Sequence, residues 1–313
     1  MASGGGSASP LHRTPVVSSA TLGEASGARA YLKAELFQKT GSFKPRGMLA
    51  KLASLAKEEQ ARGVLTVSAG NAAAALAYVA ALEGVDCLVV MWQGASDQKI
   101  AATRAYGASI DLEAESPGEA FERAAELRER TGRVFVHPFD DPVLIAGHGS
   151  LGLEILEDRP DVDAVVVPVG GGGLVAGVAK AVKEARPEVR VVGVEPEGSA
   201  ALHAALAAGA PVRVAPTSIA DGLNAPFAGE HGLAICRRLL DEVVLVSDDE
   251  IRAGFRFLYE RAKLAAEPAG AAAVAALLAH KVGGIEGKTV VSVVSGGNVS
   301  ARNASAILRG SED

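Results

Sequence analysis

Cysteine is scarce: the 313-residue chain has two, Cys87 in the apolar run VDCLVVMW and Cys236 in the helix-like LAICRRLLDEV. That excludes a disulfide framework and a cysteine-rich metal centre, and both thiols read as buried side chains. Aromatic residues are few, at 4%, no basic run is interleaved with them, and the formal net charge is -6. Neither nucleic acid nor an anionic membrane is therefore an expected partner. No apolar stretch approaches the roughly 18 residues of a membrane span. The N-terminus also lacks the basic start and apolar core of a secretory signal. A cytoplasmic protein acting on a small molecule is the expectation. The opening MASGGGSAS is small and featureless, and residues 1–10 are expected to be a flexible tail outside the fold.

What the chain does have is hydrophobic residues, 49% of the total, in one recurring arrangement. Short β-branched runs such as GVLTVS, DCLVVM, DAVVVPV, RVVGVE and TVVSVV are apolar on both faces, as strands covered by helices on either side must be. Between them lie alanine-rich helix formers, NAAAALAYVAALEG and GGLVAGVAKAVKEARP among them, that end in glycine or proline. The pattern predicts an α/β fold with open, mostly parallel sheets flanked by helices. Ligands of such folds sit in the turns leaving the C-terminal strand ends.

Four of those turns are unusual. In PVGGGGLVAG, Gly170, Gly171, Gly172 and Gly173 leave a strand and open a helix, so backbone N–H groups can close on an anion. The same turn contains G-x-G-x-x-A with Glu195 beyond the next strand, so on this stretch a dinucleotide such as NAD and a lone phosphate group both remain open. In SAGNAAAA, Ser68, Gly70 and Asn71 precede an alanine helix; Asn71 reads either as a plain N-cap or, with its neighbours, as part of a carboxylate cradle. In VVSGGNVS, Ser295 offers one hydroxyl at a strand end. In KTGSFKPRG, Lys44 sits between Phe43 and Pro45, which holds its stem in partly apolar surroundings and suits it to forming a Schiff base. One ligand could use all four turns: an aldehyde for Lys44, a phosphate for the glycines, a ring oxygen for Asn71 and a ring nitrogen for Ser295. That ligand is pyridoxal 5′-phosphate (PLP).

The sequence also resembles the fold-type II PLP enzymes, specifically the threonine/serine dehydratase and serine racemase branch. The resemblance rests on RTPVV, TGSFKPRG, SAGN, HPFDDPVLIAGHGSLGLEI, VGGGGL, GVEPEG, IADGL, EPAGAA and SGGN, which run in family order over nearly the whole chain. It implies a two-domain fold like the tryptophan synthase β subunit: residues 11–62 and 143–313 as a large PLP-anchoring domain, residues 63–142 as a small domain closing over the substrate. It implies that Lys44 forms the Schiff base and serves as the base at Cα, that Phe43 lies against the ring, that Gly170 to Gly173 bind the phosphate, Asn71 the ring 3′-oxygen and Ser295 the ring nitrogen. Ser68, Ala69, Gly70, Asn71 and Ala72 would surround the substrate, and Glu267 would stand near the cofactor. A homodimer is the family's assembly.

The implied activity is β-elimination of water from L-threonine or L-serine, releasing a 2-oxo acid and ammonium. With no Asp or Glu in the cradle, the cofactor phosphate is the acid expected to protonate the leaving hydroxyl. Ser295 supports a protonated ring nitrogen poorly, which favours elimination over transamination. Racemases of this branch have serine where Ala69 stands, so dehydratase is preferred to racemase; another lyase or synthase of the same fold is the alternative. Many relatives have histidine at Ala72. The divalent-cation ligands of some members correspond to Glu195, Ser199 and Ala201, which lack one carboxylate, and no metal site is expected. His137, His148 and Asp221 are expected to be structural, and no C-terminal regulatory domain is expected.

Overall fold

The computed structural model describes residues 9–310. Its strands are β1 (Val16–Ser18), β2 (Arg29–Ala34), β3 (Val64–Val67), β4 (Cys87–Trp92), β5 (Ser109–Ala114), β6 (Val134–Phe135), β7 (Ala164–Pro168), β8 (Arg190–Pro196), β9 (Glu242–Val246) and β10 (Thr289–Val294). They build a six-stranded sheet in the order β1-β2-β10-β7-β8-β9 and a four-stranded sheet in the order β5-β4-β3-β6. β1 is antiparallel to β2, and the other pairings between these strands are parallel.

The apolar runs become the central strands for the reason their composition suggests. Every residue of β7 and β10 is buried. Val166 of β7 faces the alanine helix Pro268–Leu278, while Val165 and Val167 face the helices Pro142–Asp158 and Gly173–Ala185 on the other side. Such double cover leaves no solvated face and removes the alternation of polar residues. The four-stranded sheet is sandwiched in the same way between Asn71–Glu83 and Pro117–Thr131. Small residues let the helices approach closely. Where Pro45–Ala53 crosses Pro142–Asp158, a Cβ on Gly147 would stand 2.7 Å from the carbonyl oxygen of Arg46.

Both cysteines are buried and free, and burial pushes each thiol up to about 12. Among the described residues no helix is long and apolar enough to cross a membrane. The tail expected over residues 1–10 lies outside the described residues as far as residue 8; beyond it, the Pro10 carbonyl accepts a hydrogen bond from the Tyr78 hydroxyl at 3.0 Å.

The topology collects the unusual turns. β2, β10 and β7 are adjacent and parallel, so the segments after their C-terminal ends, carrying Lys44, Ser295 and the glycine run, emerge side by side. The turn after β3, with Ser68 to Asn71, comes from the other sheet.

Candidate active site

The loop between β2 and Lys44 is held in an unfavourable shape. Thr40 has φ of 62°, a left-handed conformation that costs energy for a β-branched residue. Neighbours from the β10 turn hold it there. Asn298 Nδ2 donates to the Thr40 carbonyl at 2.7 Å, Gly297 N–H donates to Gly41 at 2.9 Å, and Phe43 N–H donates to the Ser295 carbonyl at 3.0 Å. Lys44 follows at the start of the helix Pro45–Ala53, partly buried, with Nζ 5.1 Å from the centre of the Phe43 ring and donating to the Pro138 carbonyl at 2.8 Å. Burial lowers its ammonium pKa to about 8 against the opposing pull of Glu267. A lysine so placed is partly neutral near physiological pH, which a nucleophile or base requires.

Behind Lys44 the structure is tightly pinned. Arg46 is buried and forks twice: Nε and one terminal nitrogen donate to Glu35 at 2.7 and 2.8 Å, and both terminal nitrogens donate to Glu154 at 2.7 and 2.8 Å. Lys33, fully buried, donates to Glu154 at 2.7 Å and to the Thr14 carbonyl at 2.8 Å, while the Thr14 hydroxyl donates to Glu35. Arg46 and Lys33 outweigh the burial of Glu154 and hold its carboxyl below the ordinary range. His148 packs edge-on to Phe43, with ring centres 4.8 Å apart, and against Gly47. Burial, then Lys44 and Arg46, push its pKa well below the ordinary value, so it stays neutral.

Beside the Lys44 loop, and lined by its Thr40, lies a cleft of about 860 Å³ whose walls also include Gly70, Asn71, Asp221, Glu267 and Asn298; Lys44, Ser295 and the glycine run are not part of its lining. Asn71 is not the N-cap of its helix: Gly70 holds that position, and the Asn71 side chain donates to Glu267 Oε1 at 2.7 Å while accepting from Asn298 at 2.8 Å. A Cβ on Gly70 would meet nothing within 4 Å, so the helix start is open to a ligand. Burial and Asp221 raise the Glu267 carboxyl to about 7, against the Asn71 hydrogen bond and Lys99. Lys99, on the helix Asp97–Ala105, forms an ion pair with Asp221 across the cleft.

The glycine run is shaped by Phe139. A Cβ on Gly171 would collide with the Phe139 ring and one on Gly173 with its carbonyl, whereas Gly172 has φ of 91° and open space at its Cβ position. Gly171 and Gly173 are thus needed for packing and Gly172 for the turn into the helix Gly173–Ala185. Phe139 follows Pro138, so one short strap ties the glycine run to Lys44. His137 pins that strap: its Nδ1 accepts from the N–H groups of Phe139 and Asp140 at 3.3 and 2.8 Å.

The structure therefore brings Phe43, Lys44, Asn71, Glu267 and Ser295 into one chain of contacts, with the glycine run joined through Phe139. Pro138, Phe139, Asn298 and the Arg46 cluster were not singled out by the sequence; the nearest signal was that Pro138, Phe139, Asn298, Arg46 and Glu154 lie inside matched motifs. Glu195 is fully buried and accepts from the N–H groups of Leu202 and His203, each at 2.7 Å, so it caps a helix and is not available to a dinucleotide ribose. Pyridoxal phosphate, by contrast, suits the donors present. A desolvated amine is linked through Pro138 and Phe139 to a glycine-lined helix start, and the buried hydroxyls of Thr40 and Ser42, in the lysine's own loop, have no hydrogen-bond partner.

A sequence model of the family described as "Pyridoxal-phosphate dependent enzyme" matches residues 9–296. L-threonine ammonia-lyase of Thermotoga maritima is 45% identical over 299 residues, 95% of this chain and 74% of that protein. Phenylserine dehydratase of Ralstonia pickettii is 43% identical over 292 residues, 93% of this chain and 89% of that protein. The solved structure of maize serine racemase superposes with a TM-score of 0.91 at 35% identity, covering 96% of this chain and 92% of that one.

Proposed function

The chain belongs to the pyridoxal-phosphate-dependent enzymes, and from that premise we propose that it is a threonine/serine ammonia-lyase. It removes water from L-threonine, and from L-serine, and the enamine released hydrolyses to 2-oxobutanoate or pyruvate and ammonium. When bound, the cofactor supplies an electron sink that acidifies the substrate Cα–H.

The observation that carries the reading is the state of Lys44: an amine lowered to about 8 by burial, held by the Pro138 carbonyl, in a loop whose Thr40 lines the cleft together with Gly70, Asn71 and Glu267. Lys44 would hold the cofactor through its aldehyde, and its amine would carry the proton removed from the substrate Cα. Gly170, Gly171, Gly172 and Gly173 would hold the phosphate at the positive end of the helix they open. Phe43 would support the ring, Ser295 would meet its nitrogen, and Asn71, bonded to Glu267, would meet its 3′-oxygen. Ser68, Gly70 and the first N–H groups of the following helix hold the substrate carboxylate, with Ala69 and Ala72 as apolar walls. Ala69 carries no acid for reprotonation from the second face, which favours elimination over racemisation.

The partition of the sheets supports residues 11–62 and 143–313 as the anchoring domain and residues 63–142 as the part that closes and excludes water, since β3 to β6 alone make the smaller sheet. We extend the reading to a cytoplasmic homodimer; two free, buried thiols suit a reducing compartment, and sedimentation would test the assembly. The size of the cleft favours a second reading in which β-hydroxy amino acids with bulkier side chains are also accepted, with Ala74, Ala102, Tyr106 and Ile219 as the apolar wall.

The test follows products. L-threonine and L-serine are given separately to the holoenzyme, and 2-oxo acid, ammonium and D-isomer are measured together. Equal yields of keto acid and ammonium, abolished by Lys44→Ala, are expected. D-isomer accumulating in an otherwise unchanged pool would instead make the protein a racemase.

A further inference from the structure

The hydrogen bonds around Asn71 can be oriented without ambiguity, because the chain of donors begins at a group that only accepts. The Thr40 main-chain carbonyl must receive a proton, so the Asn298 atom 2.7 Å from it is the amide nitrogen. That same nitrogen lies 2.8 Å from the Asn71 side chain, which makes the Asn71 atom facing it the acceptor Oδ1. The Asn71 nitrogen is then turned to Glu267 Oε1, at 2.7 Å. Glu267 alone could not fix this orientation. A carboxyl can accept when ionised and donate when protonated, and this one is poised near neutrality. Asn298 carries no such ambivalence, and it is firmly seated: a Cβ on Gly41 would collide with its Oδ1.

We propose that Asn298 is a positioning residue that sets the side-chain amide of Asn71, so that Asn71 presents an N–H donor, and not a carbonyl oxygen, to the cofactor. The inference rests on the reading that Asn71 meets the ring 3′-oxygen. An anionic oxygen there is stabilised by a donor and repelled by a carbonyl oxygen in the same place. The link also couples sites. Asn298 holds the carbonyl of strained Thr40, four residues before Lys44, and the first residue of the helix that cradles the substrate, so one side chain reads both.

The experiment uses the holoenzyme without substrate. Asn298→Asp is nearly isosteric but has no donor for the Thr40 carbonyl or for Asn71 Oδ1, and Asn298→Ala removes the contact altogether. Two quantities are read: the affinity for PLP, by fluorescence titration, and the pH midpoint of the visible band of the bound cofactor. Withdrawing a donor from the ring oxygen leaves more negative charge for the proton beside it, so the midpoint should rise. A shift of about one unit for Asn298→Asp, with PLP bound about tenfold more weakly, is expected for the loss of one charge-assisted hydrogen bond. Asn298→Ala should shift less. Asn298 is exposed, so thermal unfolding of the apoprotein should hardly change.

The Asn71→Ala background separates the outcomes. If Asn298 acts through Asn71, adding Asn298→Ala there should produce no further shift. An undiminished shift in that background would overturn the proposal, as would single variants that titrate with the parent. Should Asn71→Ala itself leave the band unmoved, both the role of Asn71 and that of Asn298 fall. None of these readouts depends on which amino acid the enzyme accepts.

Discussion

The two sides of Lys44 are built on different principles. Behind it, Arg46, Lys33, Glu35 and Glu154 form a buried lattice of paired charges, and two helices cross with glycine at the contact. At the cleft, which forms the front, Asn71, Glu267 and Asn298 are joined by single hydrogen bonds, and Lys99 reaches Asp221 through a partly solvated pair. A buried ion-pair network contributes little net stability over an apolar core, but it tolerates only one geometry. A single hydrogen bond rearranges at smaller cost than a buried lattice of paired charges. The difference assigns the back to placing the amine and the front to responding to whatever enters.

The largest effect should come from breaking the back. Arg46→Met would leave Glu35, fully buried, and much of Glu154 without their main partner. A loss of about 3–5 kcal/mol is expected, read by denaturant unfolding. A loss under about 1 kcal/mol would mean that the back is no more constrained than the front. Next in size is Gly171→Ala, whose added Cβ collides with the Phe139 ring. Overpacking of this kind costs about 1–3 kcal/mol. PLP should bind more weakly as well, and adding Phe139→Ala should recover part of the loss. No recovery would place the strain elsewhere.

How far the sequence could be read divides along the same line. The parallel sheets were legible because strands such as β7 and β10 are apolar on both faces, and the turns were legible because glycine runs and a lysine beside proline are locally abnormal. Arg46, Lys33 and Glu154 were not, since their pairing depends on residues over a hundred positions apart meeting behind one helix. Nothing in KPRG distinguishes a buried arginine from a solvated one. Asn71 was legible as a residue of interest but not as the partner of Glu267, 196 positions away. His137, His148 and Asp221 were read as structural. The structure gives His137 a pinning role and His148 a packing role, but places Asp221 on the cleft, opposite Lys99.

The front is sharpened by titration. Glu267 is raised from 4.5 to about 7 in the folded protein. Between those values the folded chain keeps a proton that the unfolded chain has released, so this group makes folding progressively less favourable as pH climbs through that window, and its cost is complete above about 7. Glu267→Gln keeps an acceptor for Asn71 but has no such proton. Its melting temperature should therefore gain on the parent's as pH is raised across the window and then stay level. A difference that does not vary with pH would mean that Glu267 ionises at its ordinary value.

The smallest effect is expected at the Lys99–Asp221 pair, whose side chains are 30% and 58% exposed. Such pairs are worth about 0–1 kcal/mol, so Lys99→Met should leave stability within that range. It should nevertheless act on the site in two ways. The dependence of kcat/KM on ionic strength should flatten, because a charge at the mouth of the cleft has gone. The Glu267 window should move to higher pH, because Lys99 is one of the groups that hold its proton less tightly. A large loss of stability with neither change would show that the pair is a strut, and the front would then be as rigid as the back.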